Sequence, residues 1–392
     1  MFKSIATSAL TLALTATPAF SQDSRSDEIA RAQADKAQQL KPNVATGTEK
    51  TLAWLEGHFT DPSTVHTTFG GLYPSSGFAP GLAMRQAFGP ARLNAGAAYS
   101  VRAYKSVYAT LAFPALLDEK LDVQTHVRWI DATQVPFYGI GNETTKDDRV
   151  NYGLKGLDSG GSVALKPTRW FAIGGGLSFL QIEDRGGEGS DPSIDTIVDT
   201  GVPGIFTDTN YRDATAFARI DWRESPGYTR RGGLYSLTLH DMKDRDNPLS
   251  FRRVDAEVQQ FLPLLNEHWV LAVRGLVQTT DVDDNDVVPY YRLPTLGGAK
   301  RHRGYADFRF QDRHMMLLSG EYRWLPSRVL DMALFVDAGK VTADRRDLDF
   351  NDLKTAYGIG FRIHGPTFTP LRFDIAHGKE GFRFHITGGV AY

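Results

Sequence analysis

The chain has 392 residues, no cysteine, and 44 basic against 46 acidic residues, for a formal charge of -2. Disulfides, thiolate nucleophiles and cysteine-ligated metals are excluded, and with no strongly basic segment nucleic acid is not a partner. A hydrophobic content of 41% with a mean hydropathy of -0.31 reads as an ordinary soluble protein. A transmembrane barrel gives the same average, because lipid-facing and lumen-facing residues alternate along each strand.

Met1-Phe2-Lys3 is a short basic start, and Ile5 to Ala16 is apolar. Pro18-Ala19-Phe20-Ser21 then places small residues where a signal peptidase needs them, so residues 1–21 read as a secretory signal and Gln22 as the mature start. No later run reaches eighteen apolar residues, which excludes a spanning helix. Residues 22–64 are expected to be a short polar periplasmic segment. Ser26 before Asp27-Glu28 looks like a helix N-cap, with a helix to about Leu40 ended by Lys41-Pro42-Asn43. Residues 23–50 are read either as a plug entering a barrel or as a disordered tail.

From Val65 onward the period is two. Leu93, Ala95, Ala97, Tyr99 and Val101 alternate with Arg92, Asn94, Ser100 and Arg102. Val107, Ala109, Leu111 and Phe113 make the apolar face of the next segment. Val123, Thr125, Val127 and Trp129 oppose Gln124, His126 and Arg128. Ala216, Ala218, Ile220 and Trp222 oppose Thr215, Phe217, Arg219, Asp221 and Arg223. Apolar-out, polar-in alternation with aromatics near strand ends marks a lipid-facing band and its girdle. Sixteen such segments are expected, starting near Val65, Gly77, Ala91, Lys105, Leu121, Asn151, Trp170, Asp213, Gly232, Phe251, His268, His314, Asp331, Lys354, Pro370 and Phe382. Spread over 65–392 they leave roughly 20 residues per strand and connection, enough for strands of about 9–11 residues across a bilayer. The fold class is therefore all-β, a 16-stranded antiparallel transmembrane β-barrel. A pair of soluble β-sandwich domains is the alternative.

Parity in two neighbouring strands points at a site. Met316, Leu318, Tyr322 and Trp324 share one face, so Ser319, Glu321 and Arg323 point inward; Met332, Leu334 and Val336 face lipid, so Asp337 points inward too. Two lumen carboxylates suit a guanidinium, whose fork can bridge both as an ammonium cannot.

The ordered series Leu296-Gly297-Gly298, Arg303-Gly304-Tyr305, Gly320-Glu321-Tyr322-Arg323-Trp324 and Phe335-Val336-Asp337-Ala338-Gly339 resembles the C-terminal barrel of the BamA/TamA-type family, the bacterial surface antigen superfamily. Pro136-Phe137-Tyr138-Gly139-Ile140-Gly141-Asn142 and Tyr357-Gly358-Ile359-Gly360-Phe361-Arg362 resemble family segments as well. The resemblance covers roughly residues 65–392. It implies that the connection between Thr279 and His314 folds back into the lumen, with Arg303, Gly304 and Tyr305 as a tip locked on Glu321 and Asp337. A polypeptide-transport-associated domain, which normally precedes this barrel, does not fit between Gln22 and Thr64. The expectation is thus a barrel-only member.

Phe382, Phe384 and Ile386 share a face that is expected to continue at Val390 and Tyr392, resembling the signal that delivers barrels to their assembly machinery. Gly388 and Gly389 in the last strand and Gly70 and Gly71 in the first imply a weak closing seam; bulges at the rim are the alternative.

Catalytic readings are set aside. His126, His240 and His385 face the lumen by parity, but no Gly-x-Ser-x-Gly occurs, and Ser159-Gly160-Gly161-Ser162 does not fit it. Asp281-Val282-Asp283-Asp284-Asn285-Asp286 lacks the sixth-position glycine of a calcium loop and has Arg292 where the twelfth-position glutamate belongs, so it reads as a solvated acidic loop. No cofactor, metal or enzymatic activity is expected. The resemblance implies an integral outer-membrane barrel of a Gram-negative bacterium, acting in outer-membrane protein or lipid assembly or translocation with a separate periplasmic partner. Its other partners would be outer-membrane lipid and lipopolysaccharide, and the barrel-assembly machinery during biogenesis. The alternative is a passive pore or structural surface antigen without a client.

Overall fold

The computed structural model describes Gly47, Lys50 and residues 64–196, 201–264, 268–327, 329–365 and 367–392. The expected signal sequence and the segment 23–40 lie outside the described residues. Gly47 and Lys50 belong to a first unit, Met1–Lys50, and every strand belongs to a second, Thr51–Tyr392.

The strands of this second unit run β1 (Val65–Gly70), β2 (Ala79–Phe88), β3 (Ala91–Tyr99), β4 (Lys105–Ala115), β5 (Leu121–Phe137), β6 (Val150–Thr168), β7 (Phe171–Gly186), β8 (Thr209–Asp221) and β9 (Gly232–Asp244). They continue with β10 (Phe251–Leu264), β11 (Trp269–Asp281), β12 (Thr295–Leu296), β13 (Phe310–Gln311), β14 (His314–Trp324), β15 (Leu330–Thr342), β16 (Lys354–Ile363), β17 (Leu371–Gly378) and β18 (Gly381–Thr387). All but β12 and β13 join one 16-stranded sheet in chain order, each strand antiparallel to the next, with β1 and β18 as its two ends. β12 and β13 pair with each other inside the long β11–β14 connection. The observed starts fall within two residues of the expected ones except β8, which begins at Thr209 rather than Asp213. There Tyr211 is buried and donates its O–H to Leu249 O at 3.0 Å, so the strand is carried beyond the alternating segment by contacts of the adjoining loops.

The alternation sorts faces as period-two geometry demands. Leu82, Val107, Val127, Val163, Leu177, Leu237, Leu334 and Val336 stand exposed on the outer wall, while Ser106, Gln259, Ser319, Glu321 and Asp337 are buried inside. Connections at one end are mostly short, as at Gly89–Pro90 and Arg169–Trp170; the longest lie at the other, as from 187 to 208 and 282 to 313. Short turns are the periplasmic side of such barrels and long loops the extracellular side. No helix of the described residues is long and apolar enough to cross a membrane, which says nothing of strands.

One expectation is corrected at the last residues. The outward face of Phe382, Phe384 and Ile386 does not continue to Val390 and Tyr392. β18 stops at Thr387, and Gly389 takes φ +79°, a left-handed conformation that glycine adopts without a side-chain clash. Its N–H donates to Thr369 O at 2.9 Å. Gly388 and Gly389 therefore form neither strand interior nor bulge, but a turn that sends Ala391 and Tyr392 inward. Tyr392 packs on Phe261 and donates its O–H to Ala272 O at 3.2 Å. Gly70 is the last residue of β1 and Gly71 lies just beyond it.

Candidate functional site: a charged lock in the lumen

The connection after β11 turns back into the barrel and is held at two levels. Near the extracellular end, Tyr290 lies edge-on between Phe137 and Tyr152, with centroids at 5.2 and 4.9 Å, and donates its O–H to Asp184 Oδ1 at 2.7 Å. Val288, Tyr291 and Leu293 pack with it in a cluster that includes Tyr211 and Phe251 from the wall and Tyr104 from the β3–β4 connection. Apolar surface removed from water contributes about 25 cal/mol per Å², so burial in this cluster anchors the loop alongside the Tyr290–Asp184 hydrogen bond. Below it, the short β12–β13 ladder closes a second turn whose tip is Arg303-Gly304-Tyr305.

The tip meets the wall where parity places the carboxylates. Arg303 donates from Nε to Asp337 Oδ2 at 2.8 Å and from Nη2 to Asp337 Oδ1 at 2.7 Å, and its backbone N–H donates to the same carboxylate at 3.0 Å. Its Nη1 donates to Glu321 Oε1. The guanidinium also lies over the Phe335 ring, with Cζ 3.5 Å from the centroid. Arg303, Glu321 and Asp337 are all almost wholly buried. Burial alone would depress the Arg303 pKa, but the opposing charges of Asp337 and Glu321 hold it above its ordinary value. Gly304 explains how the loop comes so close: a Cβ there would stand 2.2 Å from Ala356 Cβ, so no side chain fits without moving the wall. Tyr305 is buried beside His302 and Phe310.

Parity turned Glu321 and Asp337 inward and the resemblance pointed to Arg303; together they are the core of a larger network. Glu321 also accepts from Arg323 Nε at 2.7 Å and from Arg362 Nη2 at 2.9 Å to both oxygens. Arg372 pairs with Asp374 at 2.8 Å and donates to Ala299 O at 2.7 Å, and Asp331 is buried nearby. Four buried guanidiniums, Arg303, Arg323, Arg362 and Arg372, thus face four buried carboxylates, Glu321, Asp331, Asp337 and Asp374. Such a cluster is costly to desolvate, and removing one member leaves a neighbour uncompensated. Arg362, Arg372 and Asp374 carried no role in the sequence reading. The signal was there: Leu371, Phe373 and Ile375 alternate with Arg372 and Asp374 along β17.

Two histidines pin the tip, one on its own backbone and one on that of the wall. His385 Nε2 donates to Arg303 O at 2.8 Å, and His302 Nε2 donates to Lys354 O at 2.7 Å. Burial holds the His302 imidazole below its usual pKa, against the pull of Asp337. His126 and His240, the other histidines expected in the lumen, sit 3.2 Å from Asp158 and 3.0 Å from Asp213. The acidic loop is spoken for by protein groups: Asp283 accepts from Arg252 at 2.9 Å, Asp286 from Ser250 N–H at 3.0 Å, and Asp281 pairs with Arg345. Phe382, Phe384 and Ile386, expected to form an assembly signal, stand outward on β18, each about 70% exposed, and Phe69 stands outward on β1.

Residues 232–390 match the Omp85 superfamily domain. Among solved structures the barrel is similar to BamA from Haemophilus ducreyi lacking POTRA domains 1–3, at 15% identity and TM-score 0.59, over 87% of this chain and 78% of that one. It is also similar to CdiB from Acinetobacter baumannii, at 12% identity and TM-score 0.53, over 84% of this chain and 60% of that one. CdiB from Escherichia coli matches at 12% identity and TM-score 0.53, over 83% and 62%. The chain thus spans under two thirds of the CdiB chains, and at these identities the likeness is one of fold. No curated protein matches the chain.

Proposed function

We propose that the chain, whose residues 232–390 match the Omp85 superfamily domain, is an integral outer-membrane barrel that assembles or translocates an outer-membrane client rather than conducting solutes. The client is an outer-membrane protein or a lipid, and a separate periplasmic partner delivers it. The observation that carries this reading is the pairing of a loop, residues 282–313, packed against the inner wall with a sheet that ends in two short edge strands, β1 and β18. A loop packed inside the barrel suits a scaffold better than a pore. A sheet edge offers backbone donors and acceptors to an extended segment, which supplies affinity by strand addition. The lock of Arg303 on Glu321 and Asp337 would hold the loop and the β14–β16 wall rigid while the seam-side strands move. In this reading Phe382, Phe384 and Ile386 serve the protein's own delivery to the assembly machinery, and the outer wall contacts lipid and lipopolysaccharide. No step asks for a cofactor or a catalytic residue.

The test is proteoliposomes of the purified barrel, assayed for folding of a urea-unfolded outer-membrane barrel protein and, in planar bilayers, for conductance. Accelerated folding without large steady conductance supports the assembly reading. Large steady steps with no acceleration would replace it by the passive pore. A client of the lipid class would show neither, and lipid transfer between labelled vesicles would then reveal it.

A further inference from the structure

Two periplasmic connections are longer than the others on that side: the β8–β9 connection from Trp222 to Arg231, and the β16–β17 connection from His364 to Pro370. They belong to distant parts of the wall, with β10, β11, β14 and β15 between them. They nevertheless touch. Ser225 Oγ donates to Thr367 O at 2.9 Å, and Thr369 Oγ1 donates to Gly227 O at 3.1 Å. The Tyr228 ring stacks on His364 with centroids 4.0 Å apart and planes 10° apart, and its hydroxyl lies 3.2 Å from His364 Nε2. His364 Nδ1 donates to Gly365 O, so Nε2 is the acceptor and the tyrosine the donor.

The meeting point faces the lumen. Tyr228, Thr229, His364 and Thr369 are all buried. Arg323, which points inward from β14, donates from Nη1 to Thr229 O at 3.3 Å while its Nε serves Glu321. The turned-in tail closes the same region: Gly389 bonds Thr369, and Tyr392 lies under the Arg323 and Arg274 guanidiniums at 5.6 Å. Edge turns of a barrel have no packing reason to leave the rim and bury polar backbone; the exchange of hydrogen bonds here satisfies what such a crossing would otherwise strand.

We propose that the β8–β9 turn is a lid across the periplasmic mouth of the lumen, latched on the opposite wall by Tyr228 on His364 and tied to the lock through Arg323. The lid closes the lumen from below, as loop 282–313 closes it from above. Whatever enters from the periplasm must first part Tyr228 from His364.

The test uses the absence of cysteine in the chain. Gln259→Cys places a single thiol at a buried, inward position of β10 beside Arg223, near the mouth. Its reaction with a charged maleimide is timed in the folded detergent-solubilised barrel, with folding checked by mobility on unboiled gels. Tyr228→Ala and His364→Ala should each raise the labelling rate about tenfold, the equivalent of roughly 1.4 kcal/mol in the opening equilibrium. Tyr228→Phe, which keeps the stack and loses one hydrogen bond, should raise it less, and it carries the test if an alanine variant fails to fold. Folded variants that label at the parent rate overturn the lid. A rise with Tyr228→Ala but not His364→Ala overturns the latch.

Discussion

The wall from β14 to β16 and the wall from β17 through β18 to β1 solve opposite problems in one sheet. The first is built of strands of 10 to 13 residues and carries most of the buried charge network, with Arg303 of the inserted loop clamped between two carboxylates. The second has strands of 8, 7 and 6 residues, a rise of roughly 20–26 Å at about 3.3 Å per residue, against 16 to 19 residues in β5–β7. Its last strand is cut short by Gly388-Gly389. Rigidity is concentrated where a loop must be held, and pairing is kept brief where the sheet ends. The difference teaches that each sheet edge has one neighbouring strand, β18 being held further by His385 on the Arg303 carbonyl and by its turned-in tail.

The comparison breaks first at the lock. Arg303→Ala leaves Glu321 and Asp337 facing each other without their shared cation, and about 3–5 kcal/mol of stability should be lost. The folded band on unboiled gels should then vanish at a distinctly lower temperature, and Glu321→Gln should act in the same direction. An unchanged melting temperature in both would retire the lock as a stabilising element. A smaller loss, about 1–3 kcal/mol from overpacking, is expected for Gly304→Val. Ala356→Gly in the same chain should restore part of it, since Ala356 Cβ is the nearest obstacle.

A pH effect comes next. The folded pKa of His302 lies below its unfolded value, so the unfolded chain takes up the proton first as pH falls. Its contribution to stability is complete above about pH 6.5 and is lost on acidification below that value. His302→Gln should flatten the melting temperature between pH 7 and 5; an unaltered slope would assign the dependence to other groups. The smallest effect belongs to the seam. Phe384→Ala, on an outward and exposed side chain, should shift stability within about 0.5 kcal/mol, typical of surface positions. It should slow appearance of the folded barrel in cells if the residue belongs to the delivery signal, as pulse-labelling would measure.

Much of this was legible in the residues. Period-two alternation identified the strands, because a strand between lipid and a wet lumen must place opposite chemistry on successive side chains. The same parity turned Glu321, Arg323 and Asp337 inward. Arg372 and Asp374 were readable in the same way, and Arg362 too, since Tyr357 on its strand is strongly exposed. Phe382, Phe384 and Ile386 were placed outward correctly, whereas the extrapolation to Tyr392 failed because parity assumes the strand continues. A positive φ at Gly389 ends it, and two consecutive glycines are compatible with a bulge, a weak strand or a turn.

The sequence alone therefore determined the number of strands, their faces and the charges available to the lumen, since these follow from local alternation and composition. Only the tertiary structure decided how Arg323, Arg362 and Arg372 meet the buried carboxylates, that His385 holds Arg303 by its carbonyl, and that Tyr228 crosses to His364. Those contacts join residues 82 and 136 positions apart. No local rule reports them, because closing the barrel is what brings distant turns and loops into hydrogen-bonding range.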